Sequence, residues 1–443
     1  MKIHVVSLGC DKNLVDSEAM IGLMRDGGHE FTMSAEEADA IIVNTCGFIA
    51  SASREGIRVI LEMAEYKENS RCRFLVVTGC MAQRYKDEIF KELPEVDAVI
   101  GLEEMHRIGD ILPISGSAEE KPCVFGDGDF SLSGAYLKRT ASTMGFAYLK
   151  IAEGCDNRCS YCTIPSIKGR YRSRPIENVL EEAKSLAAQG VRELVLVAQD
   201  TTLYGSDFGK AMLPELLRKL SEIESIAWIR ILYAYPERLT QEIIDEMASN
   251  PKVCHYIDMP IQHSSASILK RMGRGETKLR SVIEALRSAM PDIAVRTTLI
   301  AGFPGETEEE FKGLVEFIKE IRFDRLGVFA YSREEGTPAA DMPNQIDEKV
   351  KAFRLDKLMK IQKKISMEKN KMMIGKTLDV IVDGRIADDE SQDGRAYCAR
   401  SYRDCYELDG MVFFNSFEEF ESGAFVRVEV TGSGDYDLYA RLI

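Results

Sequence analysis

The sequence lacks long apolar runs, and no stretch approaches the roughly 20 apolar residues of a membrane span. The apolar run among the first ten residues is also too short for a signal peptide, so we expect a cytoplasmic protein without a membrane anchor. An excess of basic residues is missing as well, because 72 acidic residues against 57 basic ones give a net charge of −15. This balance disfavours a protein that binds nucleic acid through attraction by the whole molecule.

Cysteine, by contrast, is plentiful, with 11 residues in a chain of 443. In a cytoplasmic protein this argues for metal binding or catalysis rather than a disulfide framework. Three of these residues, Cys155, Cys159 and Cys162, follow a strand-like run at C-x3-C-x2-C spacing; we call them the loop set. No fourth ligand follows nearby, whereas a ferredoxin-type run or a tetrahedral zinc site takes four. The loop set therefore indicates a [4Fe-4S] cluster with one open iron; a structural zinc loop or buried free thiols are the alternatives.

A second set of cysteines follows the strands of the first hundred residues. Strand-like and helix-like segments alternate there, which predicts a parallel α/β sheet. The predicted strands are 3–8, 40–43 and 74–78, and the predicted helices are 15–26, 53–66 and 82–93. Each strand leads into a cysteine, namely Cys10, Cys46 or Cys80, which we call the strand-end set. Because ligands bind beyond the carboxyl ends of parallel strands, this set is expected to converge on a second cluster. The alternative is three small buried residues that end three strands.

A further alternating block predicts a partial (β/α)6 barrel, whose functional groups should follow the strands. Its strands are expected near 147–153, 193–198, 228–233, 256–259, 294–299 and 325–330, with helices such as 176–189 and 307–320. Polar or glycine residues stand where later strands end: Gln199, Asp200, Gln262, His263, Gly302 and Gly305. For each of them, a helix cap or a tight turn is an equally weighted alternative.

The predicted domains are an N-terminal α/β domain at 1–112, a linker at 113–140, a core at 141–372 and a small antiparallel β-barrel at 373–443. The core includes a connecting helix at 344–372, which carries a net charge of +5 and a partial apolar stripe. That stripe consists of Val350, Phe353, Ile361 and Ile365. Residues 375–443 hold 15 acidic and seven basic residues, so their net charge is −8. This balance suits a basic protein partner better than the phosphates of a nucleic acid.

The spacing of the loop set resembles the signature of radical S-adenosylmethionine (SAM) enzymes, and Tyr161 fills the aromatic position that those enzymes favour. Together with the strand-end set and the C-terminal β-barrel, the chain resembles the radical SAM methylthiotransferases over nearly its whole length. The resemblance implies an N-terminal methylthiotransferase domain, a radical SAM core and a TRAM domain. It also implies that the loop set holds the catalytic cluster that cleaves SAM, while the strand-end set holds an auxiliary [4Fe-4S] cluster that carries the donated sulfur.

Two branches of that family differ in substrate. One modifies the β-carbon of an aspartate of ribosomal protein S-twelve, and the other modifies an isopentenylated adenosine of tRNA. The segments 7–18, 230–236 and 260–264 resemble the first branch, although Asp11 stands where that branch often has proline. The implied partners are therefore S-twelve, an electron donor such as flavodoxin or ferredoxin, and a sulfur source.

Other interpretations stay open at this stage. They are a methylthiotransferase of tRNA, a two-cluster electron carrier and a radical SAM enzyme of unrelated chemistry. Tyr161 and the six strand-following polar and glycine residues are candidates for SAM contacts. The remaining cysteines are expected to be packing residues: Cys72, Cys123, Cys254, Cys398 and Cys405.

Overall fold

The structure, a computed structural model, describes residues 1–86, 88–112, 121–126, 136–275, 278–391 and 394–443, with the backbone alone at 387–391. Most of the predicted linker, at 113–120 and 127–135, lies outside the described residues. The chain divides into two compact units. The first comprises Met1–Ser142, Tyr148–Ser185 and Glu334–Thr337; the second comprises Thr143–Ala147, Leu186–Arg333 and Pro338–Ile443.

The strands are numbered in chain order. They are β1 (Lys2–Ser7), β2 (Glu30–Phe31), β3 (Ala40–Thr45), β4 (Phe74–Gly79), β5 (Ala98–Ile100), β6 (Cys123–Val124), β7 (Phe146–Lys150), β8 (Ala152–Glu153), β9 (Arg172–Ser173), β10 (Glu193–Val197), β11 (Trp228–Ile231), β12 (Val253–Asp258), β13 (Ala294–Ala301), β14 (Arg325–Ala330), β15 (Thr377–Ser391), β16 (Gly394–Ser401), β17 (Val412–Ser416), β18 (Phe425–Ser433) and β19 (Leu438–Leu442).

The α-helices are Asp11–Asp26, Ala50–Asn69, Cys80–Tyr85, Glu88–Glu92, Ile108–Ile111, Ile164–Lys168, Ile176–Ala188, Leu213–Ser221, Gln241–Ser249, Ala266–Arg271, Leu279–Ala289, Glu308–Ile321 and Glu348–Lys371. Short 3-10 turns occupy Ala35–Glu37, Leu102–Arg107, Thr201–Leu203, Ser206–Phe208, Pro236–Arg238 and Pro338–Asp341.

The first unit contains a parallel sheet in the order β2-β1-β3-β4-β5-β6. Every residue of β3 is buried, as expected for a parallel strand that is covered on both faces. The predicted strands and the parallel fold are confirmed. The prediction of a single helix at 82–93 is wrong, because two short helices, Cys80–Tyr85 and Glu88–Glu92, occupy this segment. Lys86, the C-cap of the first, has a φ of 47° in the left-handed region, which ends the helix.

The second unit contains a sheet in the order β14-β13-β12-β11-β10, followed by β7, whose first two residues belong to this unit. Neighbouring strands from β10 to β14 pair in parallel, which confirms the predicted partial barrel. Capping residues start its helices. Thr307 and Glu310 exchange hydrogen bonds in a capping box before Glu308–Ile321. The side chain of Asp347 accepts a hydrogen bond from the Lys349 amide at the start of Glu348–Lys371.

The long helix Glu348–Lys371 departs from the predicted apolar stripe. Ile365 is buried and Ile361 is half-buried, but Val350 is exposed and 60% of Phe353 is exposed to solvent. Leu358, which the stripe did not include, is fully buried instead. The helix therefore packs through a different and more polar face, which includes the buried Arg354 and Gln362, and leaves a large aromatic ring outside.

The C-terminal strands form a closed barrel in the order β15-β16-β17-β19-β18 around a core that includes Val380, Tyr397 and Phe414. The predicted small barrel is confirmed. Its description as antiparallel needs one correction, because β17 pairs in parallel with β19 while the other pairs are antiparallel. Strands β17 and β19 run in the same direction because β18 lies between them in the sequence and runs in the opposite direction. They are nevertheless neighbours, since β18 lies beside β19 and β15 in the barrel.

Buried ion pairs attach this barrel to the sheet within the second unit. Glu193 of β10 is fully buried and contacts Arg230 of β11 at 2.7 Å and Arg400 of β16 at 2.6 Å. Arg400 also pairs with Asp383 of the barrel at 2.9 Å. Asp404 pairs with Arg325 of β14. Several barrel acids are therefore neutralised inside the unit, so the surface of residues 375–443 is less acidic than their sequence predicts.

Candidate functional site

The strand-end set lies where three neighbouring strands end. Strands β1, β3 and β4 are adjacent and parallel, so Cys10, Cys46 and Cys80 follow them at one edge of the sheet. Cys80 is buried, Cys46 is half-buried and Cys10 is exposed. Gly9 has a φ of 95°, and a Cβ at this position would stand 2.7 Å from the Cβ of Cys46. A glycine is therefore required here, because the Cys10 loop passes against the Cys46 loop.

Asn13, which is 1% exposed, connects all three strand ends. Its Nδ2 donates hydrogen bonds to the carbonyl oxygens of Leu8 and Thr45, each at 3.0 Å. The Sγ of Cys80 donates to Asn13 Oδ1 at 3.7 Å. One amide thus ties together the backbone before Cys10, the backbone before Cys46 and the side chain of Cys80. No local pattern in the sequence indicates this role of Asn13.

The thiols of the strand-end set influence one another. Burial, helped by the neighbouring Cys10 and Cys46 and opposed by Lys168, raises the pKa of Cys80 to about 12. Burial also raises the pKa of Cys46, and Cys10 adds to that rise. Three thiols this close cannot all ionise without a compensating positive charge. An iron–sulfur cluster supplies that charge and takes thiolates as its ligands, so the donor set fits such a cluster.

The loop set lies in the same unit, after strand β8. Cys155 and Cys159 are buried and Cys162 is half-buried. Two backbone hydrogen bonds hold the loop closed: the Cys155 amide donates to the Gly169 carbonyl and the Cys162 amide donates to the Cys159 carbonyl, each at 3.1 Å. Burial, helped by the neighbouring Cys159 and Cys155, raises the pKa of Cys162 to about 12. The loop set therefore resembles the strand-end set in its electrostatics.

Within the described residues, no group of three or more His, Cys, Asp or Glu side chains is arranged to hold a metal ion. A [4Fe-4S] cluster takes its thiolates on separate irons, so its ligands need not surround one point.

A hydrogen bond joins the two cysteine loops directly. The hydroxyl of Thr163, next to Cys162, donates to the carbonyl of Phe48, two residues after Cys46, at 3.2 Å. Thr163 is buried, so the contact is shielded from water. The two sets of thiols are thus held within one compact unit by a contact between their loops.

A buried ion cluster lies beside both sets. Lys168 contacts Glu153 at 3.2 Å and Asp16 at 3.5 Å, and Lys150 contacts Glu153 at 2.7 Å and pairs with Asp16. Burial alone would lower the pKa of Lys168, but Glu153, Cys80 and Asp16 raise it above its ordinary value. Lys168 therefore stays charged near Cys80. Nothing in the sequence connects Lys168 or Lys150 with Asp16.

Glu334 supports the Cys46 loop from a distant point in the chain. The helix Ala50–Asn69 has no side-chain cap of its own, since Ile49 stands at the N-cap. Instead the carboxylate of Glu334 accepts a hydrogen bond from the Ala50 amide at 3.0 Å. Arg84 lies 3.7 Å from Glu334 and donates to the Gly47 carbonyl at 3.0 Å. Sequence reasoning missed this cap, because its two partners are separated by 284 positions.

The candidate SAM contacts divide between the units. Tyr161 is half-buried in the first unit, and the other six residues follow strands β10, β12 and β13 in the second. Asp200 accepts from the Thr202 amide at 3.1 Å and pairs with Arg238 at 2.8 Å, while His263 accepts from the Ser265 amide at 2.9 Å and faces Glu306 at 3.4 Å.

The backbone at the remaining strand ends is unusual. Gln262 has a φ of 67° and pairs with β13 through the Gln262 amide and carbonyl. Gly302 and Gly305 have φ values of 75° and 74°. Half-buried Gln199 precedes Asp200 at the end of β10. The six residues therefore lie in caps, turns and one β-bridge at the predicted strand ends, and their contact with SAM stays a prediction.

The five other cysteines are mostly packing residues, as predicted. Cys72, Cys254 and Cys405 are buried and Cys398 is half-buried. Cys123 is exposed, so the packing role predicted for it is wrong. It belongs to the short strand β6, which lies at the edge of the sheet. In the part of the chain that the structure describes, no helix is both long and apolar enough to span a membrane.

Comparison with known families covers most of the chain. Residues 2–101 match the uncharacterized protein family UPF0004, residues 149–318 match the radical SAM superfamily and residues 374–443 match the TRAM domain. Among solved structures, the radical SAM methyltransferase TsrM from Kitasatospora setae, with cobalamin and a [4Fe-4S] cluster bound, aligns with a TM-score of 0.54 at 15% identity. It covers 76% of this chain and 73% of its own, and this likeness shows the fold alone.

Full-length relatives are much closer. The chain is 51% identical over 444 residues to the ribosomal protein uS12 methylthiotransferase RimO of Lachnoclostridium phytofermentans, with 99% of each chain covered. It is 49% identical over 451 residues to the protein of the same name from Acetivibrio thermocellus, covering 100% of this chain and 98% of the relative. The chain is therefore a radical SAM methylthiotransferase. Within that class it belongs to the RimO family, the ribosomal protein uS12 methylthiotransferases.

Proposed function

We propose that this chain transfers a methylthio group to the β-carbon of an aspartate of ribosomal protein uS12, the S-twelve of the small subunit. Full-length identity of 51% to a protein of that name carries the proposal. The presence of two separate cysteine sets in one compact unit supports it. One cluster would be enough to cleave SAM, so a second set of three cysteines calls for a second task.

The loop set would hold the cluster that binds SAM, and the strand-end set would hold the auxiliary cluster. When bound, these groups supply a carbon radical that abstracts hydrogen from the aspartate and a sulfur source for the product, chemistry that no protein side chain performs. The chain's own residues provide position and charge. Asn13 fixes the strand ends, and the hydrogen bond from Thr163 to Phe48 fixes one loop against the other.

The buried ion cluster is neutral overall, with two lysines and two carboxylates, but it holds the ammonium group of Lys168 near the thiolate ligands. Lys168 lies close enough to Cys80 to lower the pKa of that thiol, against the larger effect of burial. Asp16 and Glu153 in turn keep Lys168 protonated. A fixed ammonium group at this place favours the anionic state of the cysteine sulfur and so favours cluster binding.

Further parts of the proposal rest on the family resemblance. SAM would contact Tyr161 and the caps and turns after β10, β12 and β13. The division into domains at 1–112, 141–372 and 373–443, with a linker at 113–140, belongs to the same proposal. So do a reductant such as flavodoxin or ferredoxin, a sulfur source and a cytoplasmic location, where ribosomal proteins are found.

The proposal is tested with anaerobically reconstituted protein, SAM, a chemical reductant and purified uS12. Mass spectrometry should find one methylthio group on an aspartate of uS12. A variant with alanine at all three positions of the loop set should give no product and no 5′-deoxyadenosine. A control reaction with tRNA in place of uS12 should give no modified nucleoside. Modification of tRNA with unchanged uS12 would overturn the proposed substrate.

A further inference from the structure

A basic groove lies on the second unit, between the helices Glu308–Ile321 and Glu348–Lys371. It has a volume of about 540 Å³. Its floor contains the apolar residues Val315, Phe353 and Ile361. Five lysines line it: Lys312, Lys319, Lys357, Lys360 and Lys364. The groove is therefore a cationic surface with an apolar floor, in a protein whose net charge is −15.

The spacing of the lining residues keeps this charge on one side of the long helix. Phe353, Lys357, Lys360 and Lys364 follow one another at intervals of four, three and four residues, so they share one helical face. The row from Phe353 to Lys364 extends about 17 Å at 1.5 Å per residue. That length spans several successive nucleotides of a stacked strand, each of which rises about 3.4 Å along the strand axis.

Most of the positive charge in the groove is uncompensated. Lys319 pairs with Glu316 at 2.8 Å and Lys360 pairs with Asp356 at 2.7 Å. Among the described residues, no carboxylate lies within ion-pair distance of the other three lysines, which are Lys312, Lys357 and Lys364. The net charge of the groove is therefore +3, from five lysines and the two acids that line it.

The ring of Phe353 is the second unusual feature of this surface. It is 60% exposed, although an aromatic side chain normally contributes a large area to the core. The Nζ of Lys357 lies 5.9 Å from its centroid. An exposed ring beside a row of cations provides both elements of a single-strand nucleic-acid site, namely a stacking platform for a base and charges for the backbone.

We propose that this groove binds single-stranded RNA, with phosphates on its lysines and a base on Phe353. The inference rests on the proposed function, because the aspartate of uS12 would then be reached while uS12 is bound to ribosomal RNA, and the groove would hold that RNA. An acidic protein is the competing partner for a cationic surface. The elongated row of lysines and the exposed ring favour RNA, since an acidic protein needs no stacking platform.

The test measures fluorescence anisotropy of a labelled single-stranded oligoadenylate with the full chain over a range of salt concentrations. The groove variant carries Lys312→Gln, Lys357→Gln and Lys364→Gln. The control variant carries Lys349→Gln, Lys371→Gln and Lys376→Gln, three exposed lysines outside the groove that give the same change in net charge. Each phosphate contact on a single strand contributes about −0.7 to the slope of log K against log salt, so the groove variant should lose about 2 units of slope.

The control variant should keep the slope of the wild-type protein. Phe353→Ala should weaken binding on the order of tenfold, and Phe353→Tyr should restore it, because both rings stack on a base. Equal losses in the groove and control variants would show charge attraction without a site and would overturn the proposal. Unchanged RNA binding by the groove variant, with slower reduction by an acidic flavodoxin, would also overturn it and identify the surface as a docking site for the reductant.

Activity assays separate this inference from the proposed function. The groove variant should modify free uS12 at the wild-type rate but modify uS12 within intact small ribosomal subunits more slowly. If wild-type protein modified no uS12 in either form, the proposed function would fail whatever the result with RNA. If the groove variant modified both forms at the wild-type rate, the groove would have no part in ribosome recognition and the inference would fail alone.

Discussion

Replacing Asn13 with alanine should disconnect the three loops of the strand-end set. The amide makes two hydrogen bonds of 3.0 Å to the carbonyls of Leu8 and Thr45 and accepts one from the thiol of Cys80. The buried Thr45 carbonyl costs about 1–3 kcal/mol when it loses its donor and the partly buried Leu8 carbonyl costs less, so the variant should lose about 1–4 kcal/mol of folding free energy. That is a large share of the roughly 5–15 kcal/mol by which a domain is stable. The direct consequence is that the three cysteine loops are no longer tied to one another through this side chain.

Iron content measures that consequence without relying on activity. Wild-type protein with two [4Fe-4S] clusters should bind on the order of eight irons after anaerobic reconstitution, and Asn13→Ala should bind about four. Ser17→Ala is the matched control, because Ser17 lies on the same helix and also makes one buried and one partly buried hydrogen bond, from Asn44 at 2.9 Å and to Ser7 at 2.8 Å. It should lose stability in urea unfolding yet keep about eight irons. A full complement of iron in Asn13→Ala, or equal iron loss in both variants, would refute this reasoning.

The remaining predictions concern the second cluster site and the buried ion pairs. Alanine at all three positions of the loop set should leave about four irons per chain, because the strand-end set follows other strands; colorimetric iron analysis that finds all or none would contradict separate sites. Glu193→Gln should cost about 3–5 kcal/mol in urea unfolding at neutral pH, because Arg230 and Arg400 stay buried with one carboxylate fewer. An unchanged midpoint would show that the pairs contribute nothing. Burial alone would raise the pKa of Glu193, but Arg400 and Arg230 lower it below its ordinary value of 4.5. The wild-type protein should therefore keep this stabilisation above pH 4.5 and lose it as the pH falls through the lowered pKa, whereas Glu193→Gln should show a shallower loss in acid; parallel curves would contradict the shift.

The sequence was sufficient to predict the positions of both cysteine sets. Alternating apolar segments indicate parallel strands, and a parallel sheet brings Cys10, Cys46 and Cys80 to one edge although they are far apart in the chain. The loop set follows from spacing alone. These features depend on local pattern and on one topological rule, which is why they could be recognised without a structure.

Contacts between distant polar residues could not be predicted in this way. Asn13 bonds to Thr45 across 32 positions, and Lys150 pairs with Asp16 across 134. Nothing in the local sequence of any of them indicates a buried partner. The exposure of Phe353 could not be predicted either. Helical periodicity shows which residues share a face but not whether another element covers that face.

Mass spectrometry of uS12 and tRNA from cells that lack this chain decides whether uS12 is the substrate. We expect uS12 to lose one methylthio group on an aspartate while tRNA stays unchanged. Re-expression of the wild-type chain should restore the group, whereas a chain with alanine in the strand-end set should not. Unchanged uS12, together with loss of a methylthio group from a tRNA adenosine, would show that uS12 is not the substrate.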